Sequence, residues 1–234
     1  MVAGAGPSTK VVQLFFEGFS KLPPAKGYKF EIPPKSVKHS GGVKSSGQYI
    51  FGRTGKPLSA EEKKMNKDEI FLAQIPVSFA VGSGAGITSL DLNQLENIFT
   101  GKYTNWKQAG GNDQPIVTVG REAAEAFFTV IKSLYPFFKS AKFTKIFEKD
   151  TDVVNFLKND YGKYAIAFSA KSNFINEAGI TVIPVEKFIV NVQVGLVYDL
   201  KNINHPLVNS ASDYAKSKEW REKITAAGFL LPAQ

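Results

Sequence analysis

ITSLDLNQLENIFTGKYTNWKQAGGNDQPIVTVGREAAEAFF, Ile87–Phe128, decides the fold. Asp91 with Gln94 three positions on is a capping-box variant, and Leu92, Leu95, Ile98 and Phe99 share a helical face behind it. Gly101 stops that helix. Tyr103 to Trp106 makes an aromatic turn, and Ile116-Val117-Thr118-Val119 reads as a buried strand. Arg121 stands where this strand feeds a second helix, along which Phe127, Val130, Ile131 and Leu134 recur. A fixed positive charge at a strand–helix junction sits where α/β proteins hold anions.

The same alternation runs outward in both directions. Upstream, Val2-Ala3 ends a short strand, Gly4-Ala5-Gly6-Pro7-Ser8-Thr9 turns, and Val11, Leu14, Phe15, Phe19 and Leu22 mark a helix that Pro23-Pro24 stops. Tyr28 to Ile32 reads as a strand. Lys38-His39-Ser40-Gly41-Gly42 reads as a second Gly-rich turn, with a helix opening over Val43 to Gly47. Tyr49-Ile50-Phe51 is a short strand ending in a third turn, Gly52-Arg53-Thr54-Gly55-Lys56-Pro57. Ser59 with Glu62 forms a capping box for a short polar helix. Phe71 to Val81 is a long β-prone run interrupted by Pro76.

Downstream, helices are expected over Phe143 to Phe147 and Val153 to Leu157, and strands over Ala165 to Phe168, Val182 to Pro184 and Val190 to Tyr198. A C-terminal helix starts near Ser212 and stops at Gly228. Strands alternating with helices argue an α/β fold with a mainly parallel sheet. Phe71–Val81 and Val190–Tyr198 are candidates for paired crossover strands joining two lobes.

The chain has 234 residues, enough for one large domain or two modest ones. It is 43% apolar and 21% charged, which argues against disorder. Its net charge of +8 suits an acidic partner, but the lysines are scattered and no aromatics interleave a basic strip, so nucleic acid is not expected. There is no cysteine, which excludes disulfides, thiolate metal sites and Cys nucleophiles. No apolar run approaches the ~20 residues of a membrane span. Met1-Val2-Ala3 leads into Gly4-Ala5-Gly6 without a signal-peptide h-region. Taken alone this expects a cytoplasmic chain; it equally fits a mature chain whose leader has been removed.

Three Gly-rich turns, each after a strand-like segment, are the main chemical feature. A strand feeding a helix through such a turn leaves backbone N–H groups pointing outward at the helix start, and these favour a negative ligand. Ser8, Thr9, His39 and Ser40 add polar groups, and Arg53 and Arg121 add fixed charge with bidentate geometry for an oxyanion. Each has a plainer reading beside this one: Ser8 as an N-cap, His39 as a surface histidine, the arginines as surface ion pairs. The carboxylates Asp150 and Asp152 read as helix caps. The two histidines, His39 and His205, show no metal-ligand spacing. No G-x-S-x-G, H-E-x-x-H or complete P-loop is present. Neither an enzyme nor a cofactor is expected.

Almost end to end, the chain resembles the phosphate-binding proteins of ABC-type phosphate importers. Gly4–Thr9 looks like that family's first ligand loop, Ser40-Gly41-Gly42-Val43-Lys44 like its second, and Phe51 to Ser59 like its third. Leu92 to Trp106 and Gln114 to Arg121 match its second-lobe signature, and Gly228-Phe229-Leu230-Leu231-Pro232 its ending. The resemblance implies a two-lobed, periplasmic-binding-protein-like α/β fold, each lobe a mainly parallel sheet flanked by helices. Lobe 1 would be residues 1–80 and 190–234, lobe 2 residues 81–189, with the ligand in the cleft between them. It further implies an extracytoplasmic solute-binding protein that captures phosphate or another oxyanion through Ser8, Thr9, His39, Ser40, Arg53 and Arg121. The partner would be an ABC transporter membrane complex.

The sequence departs from the family at several of these positions. The third loop's usual acidic residue, which accepts the proton of hydrogen phosphate, is here Gly55. The Ser-Gly-Thr helix start after the family's Arg is here Glu122-Ala123-Ala124-Glu125-Ala126-Phe127, and a second-loop serine is here His39. A fully deprotonated oxyanion or a small carboxylate is therefore expected to be tolerated better than hydrogen phosphate. The alternative is a degenerate binding fold that serves as an interaction or sensory module.

Overall fold

Most of the alternation read from the sequence is present in the computed structural model, which describes residues 1–233. The chain forms two compact units, Met1–Ile75 with Asn191–Gln234 and Pro76–Val190.

The first unit begins with α1, Thr9–Phe19, which buries Val11, Val12, Phe15, Phe16 and Phe19 along one stripe. The stretch expected as a strand at Tyr28 to Ile32 forms none. Val2 N–H donates to Glu31 O at 2.7 Å, and the segment is held by Phe30 stacked on Phe16 at 4.4 Å. Pro33-Pro34 follow directly and carry no N–H to continue a ladder. The second Gly-rich turn is itself helical: α2 spans Lys38–Ser45. Its glycines allow it to lie on the next strand, since a Cβ on Gly42 would sit 2.2 Å from Arg53 O. That strand, β1, is Gly52–Thr54 rather than Tyr49–Phe51, because Gln48 and Tyr49 N–H still donate to Ser45 O in the turn after α2.

Ser59 and Glu62 close the expected capping box on α3, Ala60–Lys64. β2, Lys67–Gly82, runs past Pro76 without interruption. Pro76 lies one residue before the ladders to its second-unit neighbours begin, so its missing N–H breaks none of those pairings.

In the second unit the Asp91/Gln94 capping box opens α4, Leu92–Phe99, as the sequence expects. β3, Val117–Arg121, leads to α5, Ala126–Leu134. β4, Lys145–Phe147, replaces the helix expected over Phe143 to Phe147. The segment pairs in parallel with β3, Val119 against Lys145, while Phe143 packs on Phe128 with ring centroids 5.3 Å apart. α6 is Asp150–Lys158, β5 is Ala165–Ala170 and β6 is Ile180–Ile183. The order is β6–β2–β5–β3–β4. The β2 pairings are antiparallel and the β3 pairings parallel, so this sheet is mixed rather than mainly parallel. Phe79, Phe99, Phe138 and Phe168 fill its core.

The chain returns to the first unit as β7, Asn191–Asp199, antiparallel to β1 and next to β2. The single C-terminal helix expected from Ser212 is two: α7, Pro206–Lys216, and α8, Lys218–Ala226. Ser217 is extended at ψ 154° and ends one helix, and its hydroxyl accepts from Trp220 N–H at 3.1 Å to begin the other. Trp220 is fully buried, edge-on to Phe15, and its indole N–H donates to Leu72 O at 2.9 Å.

Candidate functional site

Five of the six expected ligand residues gather in the first unit, where the loop before α1, the start of α2 and strand β1 meet. Gly4 bridges to Arg53, and at φ +154° a Cβ there would lie 2.0 Å from Arg53 O, so only glycine lets the loop approach. Arg53 is fully buried. Its Nε donates to Ala5 O at 2.9 Å, and its two terminal nitrogens donate to Val2 O at 2.8 Å and Pro33 O at 2.9 Å. Burial lowers its pKa to about 10. The guanidinium expected to face an oxyanion instead ties together the loop carbonyls of Val2, Ala5 and Pro33.

His39 is likewise turned inward. Its Nδ1 accepts from Gly55 N–H at 3.3 Å and its Nε2 lies 3.2 Å from Glu62 Oε2. An acceptor Nδ1 with a donor Nε2 is the neutral tautomer. Burial lowers its pKa, against the opposing pull of Glu62. The histidine links the third loop to the α3 capping box rather than standing as an open ligand.

Ser8 is buried and its hydroxyl donates backwards to Ala5 O at 3.2 Å, so α1 begins without a side-chain cap. The N-cap reading of Ser8 therefore fails in its side-chain part. The adjacent Thr9 has a buried Oγ1 with no hydrogen-bond partner. α2 also lacks a cap from its N-cap residue, Val37, and Ser40 is exposed on its first turn. Ser36 Oγ accepts from Lys38 N–H at 3.1 Å and Gly6 O from Thr9 N–H at 3.0 Å, so what stands near β1 is the N–H groups of each first turn beyond these two, which no N-cap side chain covers.

Arg121 lies in the second unit, at the end of β3. It is buried, donating from Nε to Phe147 O at 3.0 Å, from one terminal nitrogen to Glu148 O at 2.8 Å and from the other to Asp150 Oδ1. Ser169 Oγ donates to the same Asp150 oxygen at 2.8 Å, and Asn173 donates to Ser169 at 2.8 Å. Asp150, read from sequence as a cap, is the arginine's ion-pair partner. Twenty-nine positions separate them, and the parallel β3–β4 pairing, with Ser169 of β5 on the same oxygen, brings them together.

After Arg121 the chain turns through exposed Ala123 and Ala124 to Glu125, the N-cap of α5. Glu125 is only 6% exposed, and its carboxylate accepts from Phe128 N–H at 2.7 Å. Burial raises its pKa, against Arg121 and the N–H groups of Phe128 and Phe127. Among the described residues no group of three His, Cys, Asp or Glu could hold a metal ion, and no helix is long and apolar enough to cross a membrane.

A family model described as a PBP superfamily domain matches residues 1–229. The phosphate-binding protein PstS of Bacillus subtilis (strain 168) is 42% identical over 50 residues, a stretch that spans 21% of this chain and 17% of that relative. The fold is similar to a putative phosphate ABC transporter substrate-binding protein with bound phosphate from Clostridium perfringens. That match has a TM-score of 0.82 at 21% identity and covers 99% of this chain and 98% of the other. An ABC-type phosphate transport receptor from Vibrio cholerae is similar at a TM-score of 0.73 and 18% identity, covering 99% of each chain.

Proposed function

The chain belongs to the PBP superfamily, and on that premise we propose that it is an extracytoplasmic solute-binding protein of the phosphate-binding type. Its task is to capture a small anion, phosphate or another oxyanion, and present it to an ABC importer in the membrane. It makes and breaks no bonds.

One observation carries the anion reading: Thr9 Oγ1 is buried without a partner beside a helix start that has no side-chain cap. A buried hydroxyl left unpaired costs about 1–3 kcal/mol, which a ligand oxygen would offset. Thr9, the exposed Ser40 and the N–H groups opening α1 and α2 are the proposed contacts. Ser8, His39 and Arg53 stand behind them as positioning residues that hold the three loops in place. With Gly55 in place of an acid, the third loop has no carboxylate to accept a hydrogen bond from a protonated ligand, which favours a fully deprotonated anion.

A second reading, a binding fold turned interaction or sensory module, is favoured by the way Glu125 and Asp150 already satisfy the second unit's helix start and arginine. A thermal-shift screen against phosphate, sulfate, other oxyanions and small carboxylates separates the two. Ligand at about 100 times its dissociation constant adds roughly 2.7 kcal/mol to apparent stability. A saturable rise in Tm with one anion supports capture; no rise with any anion leaves the module reading.

A further inference from the structure

The start of α5 has the two features that draw an anion: N–H groups that the helix's own ladder leaves unpaired, and a buried arginine close by. Here the chain fills that position from within. The Glu125 carboxylate takes the Phe128 N–H at 2.7 Å, while Glu125 N–H itself donates to Glu122 O at 2.9 Å. The carboxylate lies in the field of Arg121, which is in turn paired with Asp150. Ala123 and Ala124, on the approach to this helix start, are exposed and carry nothing that would keep an ion out. What stands in the way is negative charge: the Glu125 carboxylate on the helix N–H, with Asp150 and Glu122 already on the arginine.

We infer that Glu125 is the specificity-determining residue of the second unit, a built-in anion that excludes inorganic oxyanions from the α5 helix start while it is charged. The inference rests on the solute-binding reading above but concerns a different helix start. It assigns the preference for ligand charge to a residue that binds no ligand itself. A dianion would have to share the Phe128 N–H and the Arg121 field with a carboxylate, and two like charges cannot both be satisfied there.

The device is sensitive to pH. Burial raises the Glu125 pKa, so its charge is lost at a higher pH than for an ordinary glutamate. The charged groups around it are Arg121 from β3, Asp150 from α6 and Glu122 from the intervening turn; Lys132, on α5 itself, is turned back to Ala123 O at 2.8 Å. Asp150 adds to the upward pull and Arg121 opposes it.

The test compares wild type with Glu125→Gln and Glu125→Ser by isothermal titration with inorganic phosphate over a pH series that runs well to the alkaline side of the carboxylate range, because burial raises the Glu125 pKa. Gln keeps an oxygen for the Phe128 N–H, and Ser is a preferred N-cap, so at least one variant should keep the helix start formed; unliganded Tm checks this. Both variants should bind phosphate at least about tenfold more tightly than wild type. Inorganic sulfate, whose charge is constant over the range, should bind wild type more tightly as pH falls, and this slope should disappear in Glu125→Gln. Folded variants that bind phosphate no better than wild type overturn the inference, whether all bind or none does. If wild type binds no anion in the screen but the variants gain phosphate, the inference stands and the capture reading falls. If wild type binds an anion and the variants are unchanged, the reverse holds.

Discussion

The helix starts near β1 and the helix start after β3 are built from the same parts, yet they end in opposite electrostatic states. In the first unit, α1 and α2 begin without a cap from their N-cap side chains, Thr9 keeps a buried, unpaired hydroxyl, and the arginine is drawn away into three loop carbonyls. In the second unit the arginine meets an aspartate and the α5 start is closed by a glutamate. One region offers donors that no side-chain carboxylate caps; the other caps its own. An arginine beside a Gly-rich or Ala-rich turn is therefore not in itself a ligand contact. What decides is whether the chain has a nearby acceptor to offer it.

The sharpest way to break this contrast is to remove each arginine. Arg53→Ala deletes three buried charge-assisted hydrogen bonds to Val2, Ala5 and Pro33. At roughly 1.5–3 kcal/mol each, discounted because the loops relax, it should cost about 4 kcal/mol in urea unfolding. A ligand arginine would instead lower affinity and leave stability nearly untouched. Arg121→Ala should cost about 2–3 kcal/mol, since Asp150 retains Ser169 as a donor and is itself partly exposed. Combined with Asp150→Ala, the loss should be smaller than the sum of the two single changes. Additive losses would mean that the pair is not a unit.

The fold was largely legible because local signals and tertiary demands agree. The Ser59/Glu62 and Asp91/Gln94 boxes and the Phe15–Phe19 stripe form as read, and the β-run at Phe71–Val81 forms too, though it starts earlier, at Lys67, and is unbroken at Pro76. Reading failed where a partner distant in sequence decided the outcome. Phe143 to Phe147 is apolar enough for a helix but becomes a strand because β3 offers it a parallel edge. Tyr28 to Ile32 has strand periodicity but no ladder partner. At the candidate site, Ser8, Thr9, His39 and Ser40 could be placed near one another from their loops. That His39 and Arg53 face inward could not be, because their acceptors are Glu62 and backbone carbonyls, which carry no side-chain signature. Asp150 was visible as an acid but not as a partner, for want of the β3–β4 register.

The open state of the first unit can be sharpened with Thr9→Val. The change removes a buried hydroxyl that has no partner and keeps the branched shape. Without ligand the variant should be about 1 kcal/mol more stable than wild type, by urea midpoint. Affinity for the anion identified in the screen should fall about tenfold, the worth of one good hydrogen bond to a charged group. A loss of stability would show that the hydroxyl has a partner in solution and that this helix start is as closed as α5.

The last contrast concerns the exit of the third loop, where Leu58 N–H donates to both Glu69 oxygens at 3.0 and 3.2 Å. Burial raises the Glu69 pKa to about 7, against the pull of the Leu58 N–H and Lys63. The folded chain therefore holds this proton more tightly than the unfolded chain, whose glutamate titrates near ~4.3. The stabilisation is complete below that value and is lost as pH rises through about 7. Glu69→Gln keeps an acceptor for Leu58 but has no proton to lose. Its stability relative to wild type should climb from pH ~4.3 to about pH 7 and then level off. His39 works with the opposite sign in both proteins, losing stability as pH falls, and so cancels in the difference. A difference that stays flat with pH would mean that Glu69 is solvated like a surface carboxylate, and that the loop behind the open helix starts is held by His39 and Arg53 alone.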